Sequence, residues 1–233
     1  MRWIRRLWYW NLDGIRGATW WLRYTVGSGD PQALTGGDKA PVLLIPGVYE
    51  TWRYLTPPGR RLHAVGHPVH VLPGLARNSI PIPDAAALAQ RYLDDNDLRN
   101  VVIVAHSKGG LIGKHMMAVD DTEHRIARMV AITSPFSGSS IARYAPVRTL
   151  RAFMATDAVI STLAKNLTIN SRITSIYGEF DPMIPARSYL EGATNIELPV
   201  IGHFRILADP VVLDAIVAAV DPDSLDPTLT DPE

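Results

Sequence analysis

The sequence predicts an α/β fold with a mostly parallel central sheet, and two observations lead to this prediction. From residue 41 onward, short apolar runs alternate with helical patterns, which is typical of parallel sheets with right-handed crossovers. The run Val101–Ala105 is continuously apolar and mostly β-branched, which suits a strand that is covered on both faces. Helices are therefore expected to flank the sheet.

The individual elements can be assigned in chain order from these patterns. Strands are predicted at Val42–Ile45, Val69–Leu72, Val101–Ala105, Met129–Ile132, Ile173–Tyr177 and Asn195–Leu198. Helices are predicted at Asp84–Leu93, Leu111–Val119 and Pro210–Val220. Asp84 is expected to be an N-cap, since an alanine-rich run follows it. Because ligands of such sheets bind beyond the carboxyl ends of the strands, functional residues should directly follow the strands.

Composition narrows the possible classes of function. The 233 residues have a formal net charge of zero, which gives no general electrostatic reason to expect a nucleic acid as partner. Cysteine is absent, which excludes disulfides, thiolate metal sites and a cysteine nucleophile. We expect no metal, because Gly66 and Pro68 break any helix that could align His63, His67 and His70. No apolar run reaches the roughly 20 residues that are needed to span a bilayer.

The N-terminal residues 1–25 differ from the rest of the chain. They contain five of the six tryptophans and five arginines against one aspartate. Apolar and basic side chains fall on opposite sides of a helical wheel, which predicts a basic amphipathic helix. Residues 1–22 of such a helix either lie on an anionic membrane surface, or dock onto the rest of the protein or a second copy. The stretch does not have a signal-peptide pattern, so we expect a cytoplasmic protein, which in the first of these two cases is peripheral at the inner membrane face.

The remaining chain divides into three parts. Residues 26–40 are glycine-rich and indicate a linker or long loop. Residues 41–220 form the predicted α/β domain, with an inserted segment at about residues 138–170. The tail, residues 221–233, has five acids, three prolines and no basic residue, which predicts a disordered extension.

A serine stands directly after the strongest predicted strand, in the stretch VVIVAHSKGG. A serine on a sharp strand-to-helix turn projects its hydroxyl above the sheet, and small residues two positions before and after it let helix and strand approach closely. Ser107 is therefore a candidate nucleophile on an A-x-S-x-G elbow. Its neighbour His106 is expected to lie near Ser107 and to contribute to substrate binding.

The turn after the first strand could supply a second part of an acyl-transfer site. Val42–Ile45 leads into Pro46-Gly47-Val48, and a glycine-containing turn at this place can aim a backbone N–H at an oxyanion. Val48 is the expected donor in this turn. The backbone N–H of Lys108, directly after the serine, is the expected second donor.

An acid and a histidine follow the last two predicted strands. Asp181 and Glu179 both come after Ile173–Tyr177, and Asp181 is preferred because Pro182 and Pro185 constrain the loop around it. His203 follows the last short strand and alone among the histidines lies after the acid. The resulting order Ser, Asp, His allows His203 to accept the proton of Ser107 while Asp181 orients the imidazole.

The motifs together resemble a known family. PGVYE, RNSIPIPDAAALAQRYLD, LRNVVIVAHSKGG, TSPFSGS, YGEFDPMIP and GHF are similar to segments of α/β-hydrolases of the esterase/lipase group, and AHSKGG resembles the elbow of small bacterial lipases. The resemblance covers about residues 41–220. It implies carboxylic-ester hydrolysis through an acyl-serine, without a metal or an organic cofactor. Two positions depart from the common pattern: Ala105 replaces glycine, and Pro46 stands where many members have histidine.

The inserted segment, residues 138–170, is rich in apolar residues and predicts one or two amphipathic helices. In this family such a segment forms a lid over the nucleophile, although ordinary core helices would have the same pattern. Phe153 and Met154 of the segment, with Tyr49, Trp52 and Phe136 at strand ends, would form an apolar acyl pocket. A small-molecule or lipid-like ester is the expected substrate, and an acyltransferase or thioesterase with the same triad remains the alternative.

Overall fold

The computed structural model describes residues 30–139, 142, 153–154 and 156–221. These residues form a six-stranded sheet in which every pair of neighbouring strands is parallel, in the order β2-β1-β3-β4-β5-β6. Helices cover both faces. The predicted α/β fold class is thereby confirmed.

All six predicted strands are present in the sheet, several of them longer than expected. They are β1 (Val42–Ile45), β2 (Val69–Val71), β3 (Val101–His106), β4 (Ile126–Ile132), β5 (Ile173–Phe180) and β6 (Thr194–Ile201). Every residue of β3 is buried, as its continuous apolar run predicts for a strand covered on both faces.

The described helices are α1 (Thr56–Ala64), α2 (Ile82–Asp95), α3 (Lys108–His115), α4 (Ala158–Lys165) and α5 (Pro210–Val220). A π-helical turn, Met116–Asp120, extends α3. The prediction that Asp84 caps α2 is wrong: the helix begins two residues earlier with Pro81 as N-cap, so Asp84 lies inside the first turn. A carboxylate in the first turn is still favoured by the positive end of the helix dipole.

The core is divided between the two faces of the sheet. On one face, alternate residues of β1 and β3 pack with α2, α3 and α4. On the other face, the intervening residues pack with α1 and α5. Because successive side chains of a strand point to opposite faces, each central strand contributes to both halves of the core.

The described part of the predicted linker, residues 30–40, is attached to the sheet. The carbonyl of Leu34 accepts a hydrogen bond from the Val69 N–H at 2.6 Å, and the N–H groups of Asp38 and Lys39 donate to the carbonyl of Gly66, each at 3.2 Å. These bonds hold the loop against the edge strand β2.

Several predicted segments lie outside the described residues. They are the amphipathic helix at residues 1–25, the beginning of the linker, most of the first half of the inserted segment, and residues 222–233 of the tail. Within the inserted segment the structure describes α4, whose N-cap Asp157 accepts hydrogen bonds from the N–H groups of Val159 and Ile160. None of the described helices is long and apolar enough to cross a membrane.

Candidate active site

Ser107 occupies a strained turn between β3 and α3. Its φ is 51° and its ψ is −118°, whereas residues with a Cβ rarely adopt a positive φ. The strand on one side and the helix on the other hold this conformation, which lifts the side chain above the carboxyl edge of the sheet. Ser107 is half-buried in a turn between two fully packed elements.

The two glycines after the elbow allow α3 to lie close against the sheet. A Cβ on Gly109 would collide with the backbone carbonyl oxygen of Ile45, at the end of β1. A Cβ on Gly110 would collide with the side chain of Ser134. The close packing of α3 on β1 thus places the elbow directly beside the turn that follows β1.

Asp181 and His203 form a buried pair in the loops after β5 and β6. Oδ2 of Asp181 lies 2.7 Å from Nδ1 of His203, and the two residues are 5% and 4% exposed. Oδ1 of Asp181 accepts hydrogen bonds from the N–H groups of Met183 at 2.7 Å and Ile184 at 3.1 Å. The carboxylate is therefore held by its own loop while it orients the imidazole.

The electrostatics of this pair favour an ionised carboxylate. Burial acts to raise the pKa of Asp181, but the neighbouring His203 and the backbone N–H groups of Met183 and Ile184 outweigh it, so the pKa lies below its usual value. A carboxylate at Nδ1 keeps the ring proton on that nitrogen, and Nε2 is then the proton-accepting nitrogen. This is the tautomer that a general base needs. Glu179, the other candidate acid, is exposed at the end of β5.

The turn after β1 has one N–H occupied and one available. The Gly47 N–H donates to Oε2 of Glu50 at 2.7 Å. The structure records no acceptor for the Val48 N–H among the described residues. Lys108 is the first residue of α3, so its N–H lacks an acceptor within the helix. The N–H groups of Val48 and Lys108, the two proposed oxyanion donors, thus have no acceptor in the local backbone.

His106 is placed differently from the prediction that it contacts substrate. It is fully buried, with Nδ1 2.9 Å from Oε2 of Glu50 and Nε2 3.1 Å from the backbone oxygen of His203. Both ring nitrogens are occupied by protein groups, so His106 is not available to a substrate. Sequence reasoning missed Glu50 altogether; its closeness to Gly47 in the turn was the available signal.

A second missed residue, Asn78, fastens the same turn from the other side. Its Nδ2 donates to the carbonyl oxygen of Pro46 at 2.6 Å, and its backbone carbonyl oxygen accepts from Nζ of Lys108 at 2.8 Å. The same Nζ donates to the carbonyl of Ile80 at 2.5 Å. Burial lowers the pKa of Lys108 to about 8. The side chain of Lys108 therefore binds two backbone carbonyls, while its backbone N–H remains the candidate oxyanion donor.

The predicted substrate-contacting residues are divided between the faces of the sheet. Phe136, Phe153 and Met154 belong to the apolar cluster on the α3 side, together with the proposed oxyanion donor Val48. Trp52 packs instead with the cluster on the α1 and α5 side, so the structure does not bring it together with them. Tyr49 is 38% exposed next to Val48.

Metal-binding geometry is not found in the part of the chain that the structure describes. No group of three or more His, Cys, Asp or Glu side chains there could hold a metal ion. Of the histidines that are close in sequence, His67 contacts the carbonyl of Ala40 at 2.8 Å through Nδ1, and His70 contacts the hydroxyl of Tyr92 at 3.2 Å.

Comparison with known proteins identifies the fold. No protein-family model and no curated protein matches the sequence. Among solved structures, the mature form of a Bacillus licheniformis lipase matches with a TM-score of 0.62 and 14% identity, over 84% of this chain and 95% of that one. An α/β-hydrolase enzyme from a lagoon-sediment metagenome matches with a TM-score of 0.59 and 17% identity, over 81% and 93%. A Paleococcus ferrophilus monoacylglycerol lipase gives 0.56 and 12%, over 79% and 96%.

These likenesses establish the class of fold. The chain has the α/β-hydrolase fold, with Ser107, Asp181 and His203 each in a segment that follows a strand of its sheet.

Proposed function

We propose that the protein is a serine hydrolase that cleaves carboxylic esters through an acyl-serine intermediate on Ser107. The single observation that supports this most strongly is the buried contact of 2.7 Å between Asp181 and His203, at the same sheet edge as a serine on a strained elbow. A carboxylate, an imidazole and a hydroxyl are the three parts of a catalytic triad, in which the histidine activates the serine and the carboxylate orients the histidine.

The reaction follows from the roles of these groups. Oγ of Ser107 attacks the ester carbonyl carbon and gives its proton to Nε2 of His203, while Asp181 stabilises the imidazolium. The oxyanion accepts hydrogen bonds from the N–H groups of Val48 and Lys108. The tetrahedral intermediate collapses as His203 protonates the leaving alcohol. Water then attacks the acyl-serine, with His203 again as the base, and the acid is released.

The acyl part of the substrate is proposed to be apolar. Val48 lies in the oxyanion turn and packs with Phe136, Phe153 and Met154 on one face of the sheet. An acyl chain that extends from the ester carbonyl toward this cluster would be shielded from water. Its burial would stabilise the bound substrate by about 0.8 kcal/mol per CH₂. Lipid-like or medium-chain esters fit this surface better than charged metabolites. The same triad could serve an acyltransferase or a thioesterase, in which an alcohol replaces water or a thiol is the leaving group.

The decisive experiment compares wild type with Ser107→Ala on a p-nitrophenyl ester series of increasing chain length, with an alcohol acceptor added in parallel. We expect the variant to lose about three or more orders of magnitude in kcat, because members of a triad act as a unit. Its circular-dichroism spectrum should equal that of wild type. A variant that retains half the wild-type activity would contradict the mechanism, and transfer to the alcohol in preference to hydrolysis would identify an acyltransferase.

The identity of the acid is tested by a matched pair of variants. Asp181→Asn should lower kcat about 10³-fold or more, because the amide no longer fixes the imidazole tautomer. Glu179→Gln, an equally conservative change on the exposed end of β5, should leave kcat within about twofold, since surface changes have small effects. The reverse order in a kcat measurement would assign the role to Glu179.

A further inference from the structure

Glu50 and His106 form a second buried acid–histidine pair beside the candidate active site. They are 3% and 0% exposed, and Nδ1 of His106 lies 2.8 Å from Oε1 and 2.9 Å from Oε2 of Glu50. The proposed chemistry uses neither side chain. A buried pair of this kind is costly to desolvate, so it needs a physical reason.

The hydrogen-bond partners define how many protons the pair holds. Nε2 of His106 faces the backbone oxygen of His203 at 3.1 Å, and a carbonyl only accepts, so Nε2 carries a proton. Nδ1 faces a carboxylate, so one further proton is shared between His106 and Glu50. Oε2 of Glu50 also accepts the Gly47 N–H at 2.7 Å. The pair is thus a fully connected bridge with Gly47 at one end and His203 at the other.

The bridge joins the three segments that must stay in register for catalysis. Glu50 holds the N–H of Gly47, which directly precedes the proposed oxyanion donor Val48. His106 directly precedes Ser107. The other end of the bridge holds the backbone of His203 itself. The imidazole rings of His106 and His203 are also in contact, with centroids 4.7 Å apart.

The turn after β1 is shaped to receive the carboxylate. A Cβ on Gly47 would lie 2.7 Å from Oε1 and 2.9 Å from Cδ of Glu50, so a side chain at this position would displace the carboxylate. Tyr49, between Val48 and Glu50, has a positive φ of 60°. The Glu50 carboxylate thus constrains the backbone at Gly47, and the peptide group that carries the Val48 N–H comes directly after it.

We propose that Glu50 and His106 are positioning residues that fix the oxyanion turn relative to the catalytic histidine. This inference rests on the proposed function. A misplacement of about 1 Å within an active site can cost about 100-fold in rate, which is the scale of effect expected when the bridge is broken.

The experiment measures kcat and KM for a short-chain p-nitrophenyl ester and the rate at which a fluorophosphonate probe labels Ser107. Glu50→Ala should lower kcat and the labelling rate by about 100-fold with KM within about threefold, because the reacting groups and not the acyl surface are displaced. Glu50→Gln should remain within about tenfold of wild type, since the amide can accept from Gly47 and donate to a neutral His106. Glu179→Gln is the matched control.

Two further variants test each end of the bridge. In His106→Asn the side-chain amide can take the place of Nδ1 and contact Glu50. In His106→Gln it can take the place of Nε2 and contact the carbonyl of His203. Each keeps half of the connection, so both should be slower than wild type. The double variant Glu50→Ala/His106→Ala should be no slower than the slower single variant, because the two residues act as one unit.

The outcomes separate this inference from the proposed function. Glu50→Ala labelled at the wild-type rate would overturn the bridge and leave the proposed function intact. If Glu50→Ala is only partly folded by circular dichroism, a kcat per folded molecule equal to that of wild type would overturn it as well. If Glu50→Ala does not fold, Glu50→Gln decides: a loss of about 100-fold there contradicts positioning by hydrogen bonds. A wild-type protein that neither hydrolyses esters nor reacts with the probe would refute the proposed function itself.

Discussion

Among the described residues, Lys114 on α3 has the largest fully buried side chain, and none of these residues offers its Nζ a hydrogen-bond partner. The ring of Phe136 lies 5.9 Å from this nitrogen. Burial lowers the pKa of Lys114 to about 8, from an ordinary value of 10.5. A cation kept from water with so little compensation should reduce the stability of the folded protein.

Lys114→Met should therefore stabilise the protein at neutral pH, by about 3 kcal/mol, since the pKa falls from 10.5 to about 8 and one pKa unit corresponds to about 1.4 kcal/mol. Between pH 8 and 10.5 the folded wild type binds fewer protons than the unfolded chain, so its stability rises with pH and the advantage of the variant shrinks. Urea unfolding at pH 7 and pH 9.5 measures both effects. Lys165→Met, on the exposed side of α4, is the control and should show neither. An unchanged advantage at both pH values would contradict the burial of a charge.

The sequence was sufficient to propose Ser107, Asp181 and His203, because each comes soon after an apolar run that is recognisable as a strand. Glu50 and Asn78 were not recognised. Their partners are the N–H of Gly47 and the carbonyl of Pro46, and residue types alone do not indicate the positions of these backbone groups. His106 was assigned to the right neighbourhood with the wrong contact for the same reason.

Among the elements, the strands were the most predictable and α1 the least. Continuous β-branched runs such as that of β3 have few alternatives in a two-sided sheet. The stretch TPPGRRLHA of α1 contains two prolines and a glycine, which disfavour a helix on propensity. Both prolines lie at the start of the helix, where the missing N–H costs nothing, and packing against α5 stabilises the rest.

Close packing at the elbow between β3 and α3 gives a graded prediction for its two glycines, with a glycine outside the elbow as control. Gly109→Ala should destabilise the protein by about 3 kcal/mol, because its Cβ meets the fixed backbone oxygen of Ile45. Gly110→Ala should cost about 2 kcal/mol, because the Ser134 hydroxyl can rotate away but the Cβ of Ser134, 2.6 Å from the added Cβ, cannot. Gly36→Ala, whose added Cβ would have no atom of a described residue within 4 Å, is the control. Thermal unfolding of the three variants checks the order, and equal losses for Gly109 and Gly36 would contradict close packing at the elbow.

At the scale of the whole molecule, the groups proposed for catalysis all follow strands of one parallel sheet between β1 and β6. The general rule that ligands bind at the carboxyl edge of such a sheet made this location predictable. The division of the apolar residues was not predictable, since Trp52 and Phe136 both follow strands and yet pack on opposite faces. Their side depends on the path of each loop.

Residues 1–22, which lie outside the described residues, are proposed to bind an anionic membrane surface. Each arginine near such a surface contributes about 1 kcal/mol, and interfacial tryptophans add apolar contact. Deleting these residues should abolish co-sedimentation with phosphatidylserine vesicles and leave turnover of a soluble short-chain ester intact. Raising the salt concentration should weaken vesicle binding of the full-length protein. A truncated protein that unfolds or loses turnover would show that the segment belongs to the fold.

The strained backbone of Ser107 lowers the stability of the fold at the residue that supplies the proposed nucleophile. A positive φ of 51° with a Cβ present carries a strain of about 1–3 kcal/mol, which only glycine would avoid. Ser107→Gly should therefore raise the unfolding temperature above that of wild type, whereas Ser107→Ala keeps the Cβ and should not. Ser107→Gly should thus give a more stable protein that has lost its proposed nucleophile.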